Sequence, residues 1–193
     1  MLNKFIVSLV VGSSLLGITG CFSGDDAPID ESLSSENFST YSDDAFIIQY
    51  PKNWKIKDTE LDSDVKDTIE VAFISNFKDP FFTPVITVEK IAVAEGKTTA
   101  KFGDENISLN ENLVSFEELE RVDLPLVVGE SAVLSKLIRF QAKQALGDDT
   151  LEFIQTYLVK GGLGYVITGA YDANDDDAEA SKMIQTLKSF RLK

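Results

Sequence analysis

Two neighbouring segments near the C-terminal end of the chain constrain its fold most strongly. Residues 151–159 (Leu-Glu-Phe-Ile-Gln-Thr-Tyr-Leu-Val) and 165–171 (Tyr-Val-Ile-Thr-Gly-Ala-Tyr) are both dense in β-branched and aromatic residues, which is typical of strands. The linker 160–164 (Lys-Gly-Gly-Leu-Gly) supplies the flexible backbone that a hairpin loop needs. The pattern predicts an antiparallel hairpin, which is stable only as part of a larger sheet.

Strand-like composition recurs upstream of this hairpin. Runs of β-branched and aromatic residues, bounded by proline or by polar turn residues, indicate further strands. These runs lie at 45–50, 55–57, 69–75, 85–94 and 131–142. The segments 76–84 and 95–106 are predicted loops. The first of them contains two prolines and three phenylalanines, so we expect it to fold back on the core.

Two segments carry helical periodicity. Apolar residues around 110–122 fall close to one face with charged residues on the others, and Pro125 lies just beyond, so a helix is predicted there. A second helix is predicted over 178–190, where Asp176 and Glu179 have the spacing of a capping box. Its buried stripe is expected to consist of Met183, Ile184, Leu187 and Phe190.

These elements together predict the fold class. Strands that follow one another through hairpins, with one inserted and one terminal helix, indicate an α+β fold with an antiparallel β-sheet flanked by helices. Strands and helices do not alternate regularly along the chain, which argues against a doubly wound parallel sheet.

The N-terminal segment 1–20 is predicted to be a signal peptide. Its apolar run, 5–16, is shorter than the roughly 20 residues that a membrane-spanning helix requires. The run leads to Ile18-Thr19-Gly20-Cys21, which resembles the lipobox of bacterial lipoproteins. The resemblance implies that Cys21 receives a diacylglyceryl group, that the chain is cleaved before it, and that its new amine is often acylated. The alternatives are an ordinary secretory signal and an uncleaved anchor helix.

The composition after Cys21 predicts a lipidated tether followed by a single domain. Residues 21–40 are rich in Ser, Asp, Glu and Gly, which cannot bury enough apolar surface to fold, and 41–193 forms the domain. The net charge of −14 repels nucleic acid and anionic lipid headgroups. Attachment to a membrane is therefore expected through the lipid on Cys21 and not through a basic patch.

Three segments in order resemble the PsbP-like family, the family of the extrinsic subunit of photosystem II. They are 41–54 (Tyr-Ser-Asp-Asp-Ala-Phe-Ile-Ile-Gln-Tyr-Pro-Lys-Asn-Trp), 164–171 (Gly-Tyr-Val-Ile-Thr-Gly-Ala-Tyr) and 186–190 (Thr-Leu-Lys-Ser-Phe). The resemblance covers 41–193 and implies an antiparallel sheet flanked by helices. Members of the PsbP-like family include photosystem subunits, nuclear-transport factors and bacterial lipoproteins. Metal sites in the photosystem members commonly use histidine, which this chain lacks, so the resemblance implies no functional residues.

The residue inventory argues against most enzyme classes. The chain has no histidine and a single cysteine, which removes the commonest general base and the usual nucleophile–base pairs. It contains neither Ser-x-x-Lys nor Gly-x-Ser-x-Gly, and its Gly-Gly-Leu-Gly at 161–164 lacks the lysine and the following helix of a phosphate-binding loop. We expect a protein that is not an enzyme and that carries no cofactor. A hydrolase with paired carboxylates is the third-ranked hypothesis for the function.

Two groups of residues are candidates for binding. Asp172, Asn174 and Asp176 alternate as in a calcium loop, but Asp177 and Met183 replace the Gly and Glu that such a loop requires, so a helix-capping turn is favoured. A partner or ligand groove formed by aromatic residues is the second candidate, with burial in the core as the favoured alternative. The residues of this groove are Trp54, Phe77, Phe81 and Phe82.

The sequence thus predicts a lipoprotein of the cell envelope that faces the periplasm or exterior. Its leading predicted role is a non-enzymatic interaction module on a membrane protein complex. The alternative is a binding protein for a small ligand or a divalent cation.

Overall fold

The computed structural model of the protein describes residues 37–58, 68–76, 82–143, 145–175 and 177–193. Within these ranges the chain forms ten strands and two helices. The strands are β1 Phe38–Ser42, β2 Phe46–Pro51, β3 Lys55–Asp58, β4 Ile69–Ile74, β5 Val85–Ala92, β6 Val114–Val128, β7 Ser131–Lys143, β8 Leu151–Lys160, β9 Leu163–Asp172 and β10 Arg191–Leu192. The helices are α1 Thr99–Asn110 and α2 Asp177–Lys188.

All ten strands belong to one sheet in the order β1-β2-β10-β6-β7-β8-β9-β5-β4-β3. Every described pairing is antiparallel except that of β10 with β6. Strands β8 and β9 pair along their full length, from Leu151 with Asp172 to Lys160 with Leu163. The α+β class, the antiparallel sheet and the predicted hairpin are therefore confirmed.

The sheet buries an apolar core on each of its faces. One cluster lies beneath α2, which contacts β2, β8 and β9, and it includes Phe46, Phe73 and Phe190. The second cluster lies beneath α1, which contacts β7 and β8, and it includes Phe140 and Tyr157. Because the central strands are covered on both faces, eight consecutive residues of β8 are buried.

Two glycines of β9 let the helices approach the sheet closely. A Cβ atom at Gly164 would lie 2.6 Å from Cζ of Phe102 in α1. A Cβ atom at Gly169, on the opposite face, would lie 2.7 Å from Sδ of Met183 in α2. Each glycine therefore leaves the space that a large apolar side chain of the facing helix occupies.

The helix predicted over 110–122 is wrong. Helix α1 ends at Asn110, and β6 occupies most of the predicted segment. Its long ladder with β7, which begins at Val114 opposite Lys143, outweighs the local helical pattern. Leu119, part of the apolar pattern that suggested a helix, is exposed and lies at an irregularity in this ladder.

The segment 95–106, predicted as a loop, instead contains most of α1. Thr98 caps the helix through a hydrogen bond from the backbone N–H of Lys101 to its hydroxyl, 3.3 Å long. The buried face of α1 has little apolar content, which explains why its periodicity was missed. That face consists of Thr99, Phe102, Gly103, Asn106, Ile107 and Asn110.

The remaining predicted elements are found with small shifts at their ends. The strand at 131–142 and the helix at 178–190 correspond to β7 and α2. Strand β1 begins at Phe38, so the last residues of the predicted tether belong to the sheet. The predicted signal peptide, Cys21 and most of the tether lie outside the described residues. Neither described helix is long and apolar enough to cross a membrane.

Candidate interaction surface

Strands β6 and β7 form the longest hairpin of the described sheet. The two strands pair from Val114 opposite Lys143 to Val128 opposite Ser131. Strand β8 continues to Lys160, but its ladder with β7 covers only 137–142. In the half of the hairpin nearest its turn, β7 therefore has no ladder partner among the described residues on the side of β8.

One face of this half of the hairpin packs on the core beneath α2. Leu124 and Leu126 of β6 are buried there, and Val128 and Val133 pack against the same cluster. The other face carries four exposed apolar residues in two cross-strand pairs, Pro125 with Leu134 and Val127 with Ala132. We call these four residues the hairpin patch.

The hairpin patch departs from the usual pattern of a strand with one solvated face. Such a strand normally alternates apolar and polar residues, because only one face needs to be buried. Here Leu134 is 58% exposed and Val127 is 42% exposed, while the opposite face is also apolar. Adjacent exposed apolar side chains of this kind make the hairpin patch a candidate interaction surface.

Charged residues of both signs border the hairpin patch. Asp123 and Lys136 are opposite each other on the same face, and the Lys136 Nζ atom lies 2.6 Å from Oδ1 of Asp123. Arg191 of β10 is exposed and pairs in register with Val127. An apolar centre with a polar rim is the usual composition of a protein–protein interface.

A buried polar cluster holds the hairpin to the central strands. Both Nε and Nη2 of Arg139 donate to Oε1 of Glu152, at 2.9 and 2.7 Å, and the Tyr171 hydroxyl donates to the same oxygen. The Gln141 amide donates to Oε2 of Glu152 at 3.5 Å. The carboxylate of Glu152 therefore links β7, β8 and β9, and its oxygens are already engaged in structural hydrogen bonds.

The electrostatics of this cluster agree with that structural role. Burial lowers the pKa of Arg139, but the hydrogen bond and the charge of Glu152 outweigh burial and leave that pKa raised. Burial, followed by the hydrogen bond to Glu152, raises the pKa of Tyr171. Arg139 therefore stays charged and Tyr171 stays protonated, so both remain hydrogen-bond donors at neutral pH.

A second polar network lies beneath α1. The amide of Asn110 and the hydroxyl of Tyr157 both donate to Oε1 of Gln155, at 2.7 and 2.9 Å. The Gln155 amide in turn donates to Oγ1 of Thr168 at 3.0 Å. Tyr157 is completely buried, and this burial raises its pKa. The network joins the last turn of α1 to β8 and β9.

The structure does not bring together the two described members of the aromatic groove. Trp54 is buried in the cluster beneath α2, whereas Phe82 is buried in the cluster beneath α1. Phe77 and Phe81 lie outside the described residues. Among the described members, burial in the core is therefore what the structure shows.

The candidate calcium residues form a turn in the part that is described. Asp172 is buried, and its Oδ1 accepts hydrogen bonds from the backbone N–H and the side-chain amide of Asn174, both at 2.8 Å. Asp176 lies outside the described residues. Among the described side chains, no group of three or more His, Cys, Asp or Glu residues is arranged to hold a metal ion.

The helical pattern of 110–122 conceals the hairpin patch. This pattern favours a helix that ends before Pro125, although Pro125 lies inside β6. The available signal was the apolar content on both faces of 122–128 and 131–134. This content exceeds what a strand with one buried face needs.

Comparison with known proteins gives structural matches only. No family model and no curated protein matches the sequence. The structure of the cyanobacterial PsbP protein CyanoP from Synechocystis sp. PCC 6803 aligns with a TM-score of 0.56 and 14% identity, covering 86% of this chain and 98% of that one. LpqN, involved in cell envelope biogenesis of Mycobacterium tuberculosis, aligns with a TM-score of 0.54 and 12% identity, covering 81% and 90%.

A third structure, the protein of unknown function PA94 from Pseudomonas aeruginosa, aligns with a TM-score of 0.51 and 14% identity. It covers 79% of this chain and 95% of that one. At these identities the matches establish the fold and not a shared activity. The described chain therefore has the PsbP-like fold that the resemblance of 41–193 implied.

Proposed function

We propose that this protein is a lipid-anchored interaction module of the bacterial cell envelope that docks on a membrane protein through the hairpin patch. The observation that carries the proposal is the exposed apolar face formed by Pro125, Val127, Ala132 and Leu134. Neither helix nor any other described element covers this face.

The N-terminal sequence supports an anchored location. Cys21 follows an apolar run that is too short to span a membrane, and a lipobox-like tetrapeptide ends at this cysteine. The 16 residues between Cys21 and β1 give the domain a reach of roughly 20–25 Å from its lipid if they behave as a flexible chain. LpqN, which has a similar fold, is involved in cell envelope biogenesis.

With a lipid anchor, a small docking surface is sufficient for a stable association with a membrane protein. Two proteins confined to one membrane meet at a high effective concentration, so that weak contacts still produce a stable association. The hairpin patch contains four residues, fewer than the roughly 20–30 per partner of a standard interface, so it forms only the apolar centre of the contact. Loss of the anchor is therefore expected to weaken the association even when the patch is intact.

The buried polar groups support a binding role over a catalytic one. The carboxylate of Glu152 is nearly enclosed and accepts hydrogen bonds from Arg139, Tyr171 and Gln141. A general acid or base needs an accessible atom that can exchange a proton with a substrate. Tyr157 is completely buried beneath α1 and is also inaccessible to a substrate.

The test is crosslinking in intact cells followed by mass spectrometry. The wild type is compared with Cys21→Ser, which lacks the lipid, and with a Val127→Ser/Leu134→Ser variant, which lacks the apolar patch. The matched control is Ile56→Ser, because Ile56 is an exposed strand residue with 45% exposure that is remote in the sheet. We expect the wild type and the control variant to crosslink to one abundant membrane protein. The patch variant and the anchor variant should no longer crosslink to it.

Two results would contradict the proposal. If the wild type yields no reproducible partner, the docking function is wrong. If the partner is retained by the patch variant as fully as by Ile56→Ser, the hairpin patch is not the docking surface. Circular dichroism of each purified variant checks that the fold is intact.

A further inference from the structure

Strand β6 has a long edge that no described strand covers. One side of β6 pairs with β7, but on its other side β10 pairs only with Val127 and Val128. The remaining stretch, 114–126, is unpaired on that side within the part of the chain that the structure describes. Thirteen residues is long for an edge, since whole strands usually contain about 5–6 residues.

The C-terminal half of this edge is regular enough to accept another strand. The ladder with β7 is interrupted between Val114 and Glu117 and between Glu118 and Glu120, and such irregularities protect an edge. From Glu120 to Val128 the register is continuous. The edge is therefore open over 120–126, directly beside the hairpin patch.

The direction of the main-chain groups can be read from β10. The N–H of Gly129 donates to the carbonyl of Leu192 at 2.8 Å, so odd-numbered positions of this part of the hairpin direct their main-chain groups to the outer edge. Arg121 and Asp123 then present both N–H and C=O outward. Pro125 presents only its carbonyl, which is the edge position that proline tolerates without breaking the ladder with β7.

The charge of the edge selects the kind of strand that can pair with it. Glu117, Glu118, Glu120 and Asp123 are exposed along the edge with Arg121 as the single cation. Arg121 is engaged by Glu118 and Glu111, and Asp123 is engaged by Lys136 of β7. Glu117 and Glu120 have no ion-pair partner among the described residues. A second copy of this acidic edge would be repelled, whereas a strand carrying lysine or arginine would be attracted.

We propose that this edge of β6 binds an extended, basic segment of the docking partner by adding it as a strand to the sheet. The inference rests on the proposed docking function and identifies how part of that interface is formed. Main-chain hydrogen bonds to 120–126 provide the attachment, and the acidic side chains select basic residues in the partner. The exposed Val122 provides an apolar contact for the added strand.

The test uses the purified full-length chain in detergent and an acetylated peptide of alternating lysine and valine. Hydrogen exchange of individual amides is followed by NMR, because strand addition protects outward N–H groups and contact through side chains alone does not. We expect protection of Arg121 and Asp123, and binding that weakens as salt rises. A glutamate–valine peptide of the same length should bind at least tenfold more weakly.

Two charge-reversal variants distinguish binding at the β6 edge from attraction to the overall negative charge of the protein. Glu117→Lys/Glu120→Lys should reduce binding of the lysine–valine peptide by tenfold or more. Asp104→Lys, which replaces an exposed acid on α1 that does not belong to the edge, should leave that binding within about twofold. Both variants are expected to fold, since the replaced side chains are exposed.

Three outcomes would overturn strand addition. These are no protection of the Arg121 and Asp123 amides, equal binding of the two peptides, and protection that appears without peptide and depends on protein concentration. The last outcome would identify a second copy as the occupant. None of them affects the crosslinking result for Val127→Ser/Leu134→Ser, so failure of this inference is distinguishable from failure of the docking function.

Discussion

The hydroxyl group of Tyr171 donates a hydrogen bond to the carboxylate of Glu152, the residue directly opposite it across the β8–β9 ladder. Arg139 of β7 donates twice to the same carboxylate oxygen. The side chain of Glu152 is 7% exposed and that of Arg139 is 23% exposed, so this ion pair is largely removed from water. Three adjacent strands at the base of the β6–β7 hairpin therefore depend on a single carboxylate.

Replacement of Glu152 by alanine should strongly destabilise the fold. It leaves the Arg139 guanidinium partly buried without its counterion and removes the acceptor of the Tyr171 hydroxyl. Loss of one partner of a buried pair typically costs 3–5 kcal/mol, and the partial exposure of Arg139 lowers our expectation to about 2–4 kcal/mol. Urea denaturation followed by circular dichroism measures the free energy of unfolding.

The matched control is Asp123→Ala, which removes the partner of Lys136 in an ion pair whose side chains are 54% and 35% exposed. Exposed ion pairs contribute at most about 1 kcal/mol, so this variant should unfold close to the wild type. If Glu152→Ala costs no more than Asp123→Ala, the cluster does not hold the three strands together. Tyr171→Phe should fall between them, at about 1 kcal/mol, because it removes one hydrogen bond and leaves the ion pair.

The stability of the protein should fall at high pH because of Tyr157. Burial raises the pKa of this tyrosine above its ordinary value of about 10. When the folded pKa is the higher one, the stabilisation is fully present below the unfolded pKa and is lost as pH rises above it. Between pH 10 and the folded pKa, Tyr157 should contribute a loss of about 1.4 kcal/mol per pH unit.

Urea denaturation of the wild type and Tyr157→Phe at pH 8, 9, 10 and 11 tests this dependence. Below pH 9 the two proteins should differ by a constant amount, which reports the lost hydrogen bond to Gln155. Above pH 10 the variant should lose stability less steeply than the wild type. Parallel curves over the whole range would show that Tyr157 ionises as readily in the folded protein as in the unfolded one.

Local sequence patterns predict those elements in which residue propensity and burial in the folded protein favour the same secondary structure. Strands β8 and β9 are rich in β-branched and aromatic residues and are buried on both faces, so composition alone identified them. Helix α2 has a continuous apolar stripe that includes Met183 and Leu187, both fully buried. In these segments propensity, periodicity and tertiary burial all favour the same structure.

Helix α1 and strand β6 could not be predicted in this way because their local signals oppose their environments. The buried face of α1 contains Gly103, Asn106 and Asn110, and the Asn110 amide is satisfied by Gln155 and Tyr157, which are 45 and 47 residues away. Strand β6 is determined by its pairing with β7, which runs from the turn at 129–130 out to Val114 opposite Lys143, well beyond the window in which helical periodicity is assessed. Tertiary pairing therefore decides both elements.

The candidate site was hidden for a related reason. An apolar run on both faces of a strand indicates burial on both sides when it is read alone. On the same face of β7, Ile138 and Phe140 belong to the cluster beneath α1, whereas Leu134 lies outside it and is exposed. The hairpin sequence shows apolar content on both faces, but the extent of the covering helix decides that Leu134 and Val127 stay exposed.

Replacement of Gly164 by alanine should destabilise the packing of α1 on the sheet. The added Cβ atom would lie 2.6–2.9 Å from three ring atoms of Phe102, which is buried and cannot turn away freely. Overpacking of this kind typically costs 1–3 kcal/mol. Urea denaturation of Gly164→Ala should therefore show a lower midpoint with an unchanged slope.

A double-mutant cycle with Phe102→Leu shows whether the clash is the cause. Leucine shortens the side chain and makes room for the new methyl group, so the double variant should be more stable than the sum of the two single effects predicts, by at least about 0.5 kcal/mol. Strict additivity would mean that Gly164→Ala acts through the backbone of β9 and not through contact with Phe102. In that case the close approach of α1 to the sheet would not be what requires glycine at this position.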